Sequence, residues 1–247
     1  MKIGIIGAGF VGRAIAKLAI QAGHQTMLSN SRDPKTLFSL RPMIGCDIGT
    51  PTQAAAFGDI VVIAVPFSAI GNLPIQALQA LQALQALQAL QALQALQALQ
   101  ALQALQGKFA IDAVNYYPER DGSVIALDAQ QTTTSELLAD TLLGAKIIKA
   151  FNAITMTHLE SHGLPAGHPE RRALPLAGDD PQGKTIVAEL YDAFGFDVVD
   201  AGALSEGWRF ERNMPSYCIR MTKAELTTAL ALASRNTLPV NDLDNAR

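Results

Sequence analysis

Three glycines near the amino end, Gly7, Gly9 and Gly12, stand at the spacing G-x-G-x-x-G. They separate an apolar run, Ile3-Gly4-Ile5-Ile6, from a helical pattern, Arg13-Ala14-Ile15-Ala16-Lys17-Leu18-Ala19. Between a buried strand and a helix, such a turn captures anions with its backbone. Gly7 permits the turn, Gly9 leaves no side chain between backbone and phosphate, and Gly12 lets the helix pack close to the strand. Unpaired amides and the positive helix end then face a pyrophosphate. The plainer alternative is a tight turn that holds no ligand.

A second set of residues bears on which dinucleotide would fit. An NAD site normally carries an acidic residue about 20 positions past the glycines, on the ribose 2′-hydroxyl. Here the segment reads Ser29-Asn30-Ser31-Arg32, with Asn30 near the acidic place and Lys35 close behind. A hydroxyl, a guanidinium and an ammonium suit a 2′-phosphate, so NADP(H) is expected over NAD(H). An ordinary polar loop is the bland alternative for Ser31, Arg32 and Lys35.

Other chemistry is poorly represented. Cys46 and Cys218 are the two cysteines, which fits a reducing compartment and makes no metal or disulfide framework. Of the four histidines, His158 and His162 stand at i,i+4, but no H-E-x-x-H surrounds them and they read as exposed polar residues. There is no G-x-S-x-G, nor the S-x-x-x-K helix typical of carbonyl reductases. No catalytic and no metal-ligating residue is assigned.

The elements that must position these residues follow from patterning. A chain of 247 residues with 49% hydrophobic content can build a substantial core. Its formal net charge of −3 gives no reason to expect nucleic acid or an anionic membrane. Lys2 before apolar residues could pass for a signal peptide, but the glycine pattern, Arg13 and Lys17 argue against one. No apolar run approaches the roughly 20 residues of a spanning helix, and a cytoplasmic protein is expected. After the first helix, Gln25–Leu28 reads as a second strand, residues 36–58 as a helix, an irregular stretch and a short strand, and Thr52–Ala56 as a short helix. Asp59–Pro66 is a continuously apolar strand, buried on both faces as in a parallel sheet. Its carboxyl edge, at Val65, Pro66 and Phe67, is where ligands sit in open α/β sheets. Lys108–Ala113 and Ala145–Asn152 are further strands, the first followed by Asn115. Ser135–Leu142 is an amphipathic helix begun by a Thr/Ser cap cluster. Beyond Asn152 come a helix (Thr155–Ser161), a Gly/Pro-rich loop (163–171), two strands (Arg172–Gly178 and Asp197–Gly202) flanking a helix (Pro181–Phe194), and a last helix (Lys223–Arg235). The two strands extend the sheet at its edge, and the final dozen residues read as disordered.

Gln76–Gln106 is a perfect Gln-Ala-Leu triplet repeat of good helix formers. A helix over that span would be roughly 46 Å long, more than a crossover needs. Successive leucines would lag by about 60°, so the stripe spirals and only two or three triplets can face the sheet. The distal leucines then need another surface, with a second subunit the obvious candidate. Tandem expansion in a tolerant helix is the blander reading. Eighteen residues are close to five turns, so deletion of Gln79–Leu96 is expected to preserve helix phase, folding and nucleotide binding.

Side by side, these segments resemble the NADPH-dependent reductases of the deazaflavin coenzyme F420. They are also similar to the cytosolic oxidoreductase domain of six-transmembrane epithelial metalloreductases. The matching stretches are Gly7–Gly12, Ser29–Arg32, Ala64-Val65-Pro66, Ile148–Asn152, Leu176–Asp180 and Gly195–Leu204. The repeat departs from the family but leaves these stretches untouched. The resemblance implies a Rossmann-type doubly wound parallel sheet over residues 1–152. It implies a small α+β extension over 153–247 that covers the nicotinamide, and a homodimer, through the repeat helix or otherwise. It implies NADPH held by Gly9, Phe10, Val11 and Gly12, with Ser31, Arg32 and Lys35 on the 2′-phosphate. Backbone at Val65, Pro66 and Ala150 would line the nicotinamide side, with Phe67, Ala113, Asn115 and Asn152 at the same edge. Asn115, Asn152 and Trp208 are candidates for an acceptor pocket, though Trp208 reads equally well as a core aromatic. Hydride would pass between nicotinamide and a flavin or deazaflavin ring with no obligatory acid, base or nucleophile. Two rival readings stay open. One is a reductase of a small carbonyl or imine, using Tyr116, Tyr117 or His158 as proton donor. The other is a non-catalytic NADP-binding assembly module.

Overall fold

A computed structural model describes residues 1–72, 105 and 107–235. The repeat at 76–106, apart from Leu105, and the final dozen residues lie outside the described residues, and so do the expectations placed on them. Eight strands form one sheet: β1 (Lys2–Ile6), β2 (Gln25–Ser29), β3 (Asp47–Gly49), β4 (Ile60–Ile63), β5 (Phe109–Asp112), β6 (Lys146–Lys149), β7 (Ala173–Gly178) and β8 (Asp197–Asp200). Their order is β3-β2-β1-β4-β5-β6-β7-β8. The first six are parallel in the 3-2-1-4-5-6 order of a doubly wound dinucleotide-binding fold. β7 runs antiparallel to β6, and β8 is parallel to β7. The sheet therefore continues past Asn152 into the carboxyl-terminal part of the chain.

The central strands are apolar throughout because both faces are covered. In β4, Ile60 and Val62 point into one core cluster and Val61 and Ile63 into the other. In β6, Ile148 and Ile147 divide the same way. The first cluster packs beneath α1 (Phe10–Gln21) and, further along, α8 (Pro181–Ala193), through Ile15, Ala19, Val187 and Tyr191. Leu105, at the end of the repeat, is buried in the second cluster.

Helix boundaries follow their caps. Between β2 and β4 lie α2 (Leu40–Ile44) and α3 (Pro51–Phe57), the latter begun by a capping box between Thr50 and Gln53. Two single-turn helices, α4 (Pro118–Asp121) and α5 (Ile125–Asp128), fill the stretch after β5, where the sequence carries no periodic pattern. α6 (Thr134–Thr141) begins at the cap cluster, where Thr133 and Glu136 bond each other's backbone. α7 (Met156–Ser161) follows β6. α9 (Lys223–Leu232) stops short of the expected Arg235 because Ala233 turns to an extended conformation. Among the described residues no helix is long and apolar enough to cross a membrane.

Candidate functional site

The turn from β1 into α1 is built by the glycines. Gly7 has φ +116°, and a Cβ there would lie 2.2 Å from the Ala64 carbonyl oxygen. A Cβ on Gly12 would lie 2.0 Å from the Gly7 oxygen. Both positions are closed to a larger residue. Gly9 is different: no atom lies within 4 Å of a Cβ built there, so the space above it is open. Gly9 is the N-cap of α1 without a side-chain cap, and no acidic residue occupies the first turn. Amides at such a start lack intrahelical acceptors, and an anion over Gly9 would satisfy them.

That space is part of a groove of about 740 Å³ along the carboxyl edge of β1, β2 and β4. Its lining brings together Gly7, Gly9, Asn30, Ser31, Arg32, Val65 and Pro66. It also includes residues that the sequence reading passed over: Ala8, Arg13, Leu37, Thr50, Pro51, Thr52, Ala64 and Ala69. Arg13 had a legible signal, a cation directly after the third glycine. Its Nε donates to the Ala8 carbonyl at 2.7 Å, which holds the guanidinium against the glycine turn. Thr50 and Thr52 had none, since only the pairing of β3 with β2 brings them to the groove.

At the end of β2, Ser29 is buried and its hydroxyl donates to the Ile5 carbonyl at 2.9 Å, tying the strand end to β1. Asn30 turns its carboxamide inward: Oδ1 accepts the Arg32 N–H at 3.0 Å, and Nδ2 donates to Thr36 Oγ1 at 2.9 Å. The loop is thus shaped by Asn30, while Ser31 and Arg32 are exposed on the groove. Asp33 is engaged as a cap, accepting the Lys35 N–H at 2.8 Å. Lys35 is exposed beside the groove, outside its lining, and Phe10 projects to solvent at 73% exposure. Val11 and Gly12 lie in the first turn of α1.

The remaining expected residues gather at the ends of β5 and β6, outside the lining of this groove. Ala113 and Ala150 are buried, and Phe67 meets the Tyr116 ring edge-on at 5.4 Å. Asn115 and Asn152 form a pair. Asn115 Nδ2 donates to the Asn152 carbonyl at 2.9 Å, and Asn152 Nδ2 donates to Asn115 Oδ1 at 3.2 Å and to the Phe210 carbonyl at 3.1 Å. Between Ala150 and Asn152, Phe151 adopts φ 64°, rare for an aromatic residue. The Tyr191 phenol holds it there, accepting the Phe151 N–H at 2.9 Å and donating to the Pro175 carbonyl at 3.0 Å.

Beneath this edge Lys149 is fully buried. Its Nζ lies 3.3 Å from Asp112 Oδ2, 3.1 Å from Glu211 Oε1 and 2.8 Å from Thr134 Oγ1. Burial pushes the Lys149 ammonium down, but Asp112 and Glu211 outweigh it and hold its pKa above the ordinary value. The cluster joins β5, β6 and α6 to the segment after the 3-10 turn Leu204–Phe210. Trp208 in that turn is half-buried, with Arg209 and Arg235 stacked on its ring at 4.8 and 5.1 Å.

The three candidate proton donors are engaged elsewhere, and none lines the groove. The Tyr116 phenol bonds Asp128 at 2.8 Å and the Gly122 carbonyl at 2.9 Å, and the Val124 N–H donates to it. The Tyr117 hydroxyl pairs with that of Tyr217. His158 faces Arg172. Among the described residues no group of three or more His, Cys, Asp or Glu residues is placed to hold a metal ion.

The sheet order and the glycine-floored groove define a doubly wound dinucleotide-binding protein. Within that class, residues 2–87 match the model of the family "NADP oxidoreductase coenzyme F420-dependent", and the resemblance read from the motifs is thereby shown over that part of the chain. Metalloreductase STEAP3 of Rattus norvegicus is 24% identical over 223 residues, covering 87% of this chain and 38% of the relative. A hypothetical protein from Sinorhizobium meliloti shares the fold with a TM-score of 0.68 at 25% identity, over 90% of this chain and 95% of its own. A candidate F420-dependent NADP reductase from Arthrobacter sp. FB24 aligns with a TM-score of 0.61 at 25% identity, over 83% of this chain and 86% of its own. The class these matches support is NADP-dependent oxidoreductase. Protein YjhV of Escherichia coli (strain K12) is 34% identical over 77 residues, 31% of this chain, and the chain spans 56% of its length and 38% of that of the metalloreductase.

Proposed function

We propose that this chain is an NADP(H)-dependent oxidoreductase that passes hydride between the nicotinamide ring and a flavin or deazaflavin ring. The observation that carries the reading is the shared groove: the glycine turn floors one part, and exposed Ser31 and Arg32 stand in another. Bound there, NADPH would supply the hydride. The chain's own work is then to bind and align. Gly9 and the first turn of α1 face the pyrophosphate, Arg13 adds a cation beside it, and Ser31 and Arg32 meet the 2′-phosphate. Val65 and Pro66 line the groove, where they would meet the nicotinamide. Ring-to-ring hydride transfer needs alignment more than a side-chain acid. The engagement of Tyr116 and Tyr117 with other side chains supports that reading over a carbonyl or imine reductase, which needs a proton donor.

The test mixes the protein with NADPH and, separately, a flavin, a deazaflavin, a small carbonyl and a cyclic imine. Nicotinamide absorbance is followed in each. Loss with a ring acceptor alone is expected. Loss with the carbonyl or imine alone would replace this reading, and tight NADPH binding without turnover on any acceptor would favour an assembly module. A homodimer belongs to the same reading, with a light-scattering mass of twice the chain expected.

A further inference from the structure

On the far side of β6 from the groove loop, one buried arginine lacks a counter-charge. Arg172, at the start of β7, is 1% exposed. Among the described residues no carboxylate pairs with it. Its Nη2 donates to the Ile219 carbonyl at 3.2 Å and lies 3.5 Å from the Ala153 carbonyl, and its Nε has no partner. Burial pushes the guanidinium down to about 10; the Cys218 thiol nearby opposes that shift and Arg220 adds to it. A buried cation without an anion is costly.

What covers this arginine is a pair of imidazoles. His158 on α7 and His162, which caps the carboxyl end of that helix, stack with ring centroids 4.0 Å apart and planes 15° from parallel. Their Nδ1 atoms lie 3.4 and 3.5 Å from Arg172 Nη1. A guanidinium only donates, so both Nδ1 atoms must accept, and each neutral ring carries its proton on Nε2. Two N–H donors are thereby set side by side on the side of the stack away from Arg172 Nη1, on two residues that are each partly exposed. Burial, then His158, Arg172 and Arg220, hold the His162 imidazole below its ordinary value, so that ring is a neutral donor at neutral pH. Arg220 is near enough to act on both groups, and its own carboxylate neighbour, Glu170, stands 3.4 Å away and is largely exposed. The stacked rings with one arginine beneath and another beside them are poorly suited to a metal cation.

We propose that His158, His162 and Arg220, backed by Arg172, form a binding site for a small oxyanion, a phosphate or carboxylate group, separate from the dinucleotide groove. The oxyanion accepts both Nε2–H groups and supplies the negative charge that Arg172 lacks. Its recognition is independent of the redox reading, so either can fail without the other.

The probe is inorganic phosphate, with acetate and sodium chloride at matched ionic strength as comparisons, added to protein saturated with NADP+ so that the groove is filled. Histidine ring resonances are followed by NMR. His24, which lies at the other end of the sheet beside Met1, serves as the internal control. Phosphate or acetate is expected to shift the His158 and His162 signals saturably and leave His24 in place. His158→Phe and Arg172→Met are each expected to weaken the binding by about tenfold, the scale of one charge-assisted hydrogen bond. Arg172→Met replaces an unpaired buried charge with an apolar chain, and is expected to fold with unchanged NADPH affinity. Saturation by phosphate alone assigns a phosphate-bearing ligand, and saturation by acetate as well assigns a carboxylate-tolerant one. Shifts no larger than those with sodium chloride, or equal binding by both variants, would overturn the proposal.

Discussion

Arg32→Ala isolates the contact on which the proposed cofactor choice depends. The Arg32 side chain is exposed on the groove, and the hydrogen bond the structure gives this residue, to Asn30 Oδ1, is through its backbone N–H. Alanine keeps that bond, so the loop and the melting temperature should stay as they are. What disappears is the guanidinium proposed to face the 2′-phosphate. A hydrogen bond to a charged group contributes about 1.5–3 kcal/mol, which is about tenfold to 150-fold in Kd. The site is open to solvent and the Debye length at physiological salt is about 8 Å, so the lower end applies. Ser31 stays in the groove and Lys35 beside it. Calorimetry at physiological ionic strength should therefore show NADPH binding about tenfold weaker in the variant. NADH, which lacks the phosphate, should bind as before, and the NADPH loss should shrink as salt is raised. An equal loss for both nucleotides would mean that Arg32 acts on the loop and not on the phosphate. No loss for NADPH would remove the 2′-phosphate assignment altogether.

Other residues make separate predictions. Lys149→Met leaves the fully buried Asp112, and the partly exposed Glu211 beside it, without their cation; urea unfolding should show a loss of about 3–5 kcal/mol, and an unchanged midpoint would refute the account of that cluster. Tyr191→Phe strands the buried Phe151 N–H and should cost about 1–3 kcal/mol by the same measurement. It should also loosen the left-handed Phe151, seen as faster amide exchange at residues 150–152. Burial pushes the Asp121 carboxyl up, but bonds from Arg120, the Tyr117 N–H and the Ser68 N–H prevail and hold it at about 2, against an ordinary 3.8. Its folded-state value is depressed, so its stabilisation is complete above the ordinary value and is lost as pH falls toward 2. Asp121→Asn should flatten the acid limb of a stability-versus-pH curve, and an unchanged limb would count against this pairing.

The legible parts of the fold were those written in local pattern. β1, α1 and β4 could be placed from an apolar run, a glycine spacing and a 3.6-residue period, because each is decided by its own residues and the need to bury both sheet faces. The start of α6 was visible for the same reason, as a Thr/Ser cap cluster, within which the structure shows a capping box between Thr133 and Glu136. The single turns α4 and α5 carry no period and were passed over. The groove was half legible. Gly7, Gly9, Ser31 and Arg32 belong to two segments whose roles follow from chemistry near in sequence. Thr50, Thr52, Leu37 and Ala69 reach it through strand order, which no local signal specifies.

Residue type and spacing alone determined that a glycine turn leads a helix, that no acid follows β2 at the ribose position, and that the central strands are buried on both sides. These are properties of short windows, governed by backbone sterics and side-chain polarity. Only the tertiary structure decided that Arg13 and Thr50 share a groove with Ser31, and that Asn30 shapes its loop. The same is true of Lys149 meeting Asp112 and Glu211, and of Arg172 lying under two imidazoles without a carboxylate. Those arrangements pair groups from 2 (Asn30 and Arg32) to 62 (Lys149 and Glu211) positions apart in the sequence, and each exists because packing one sheet against its helices brings chosen faces together.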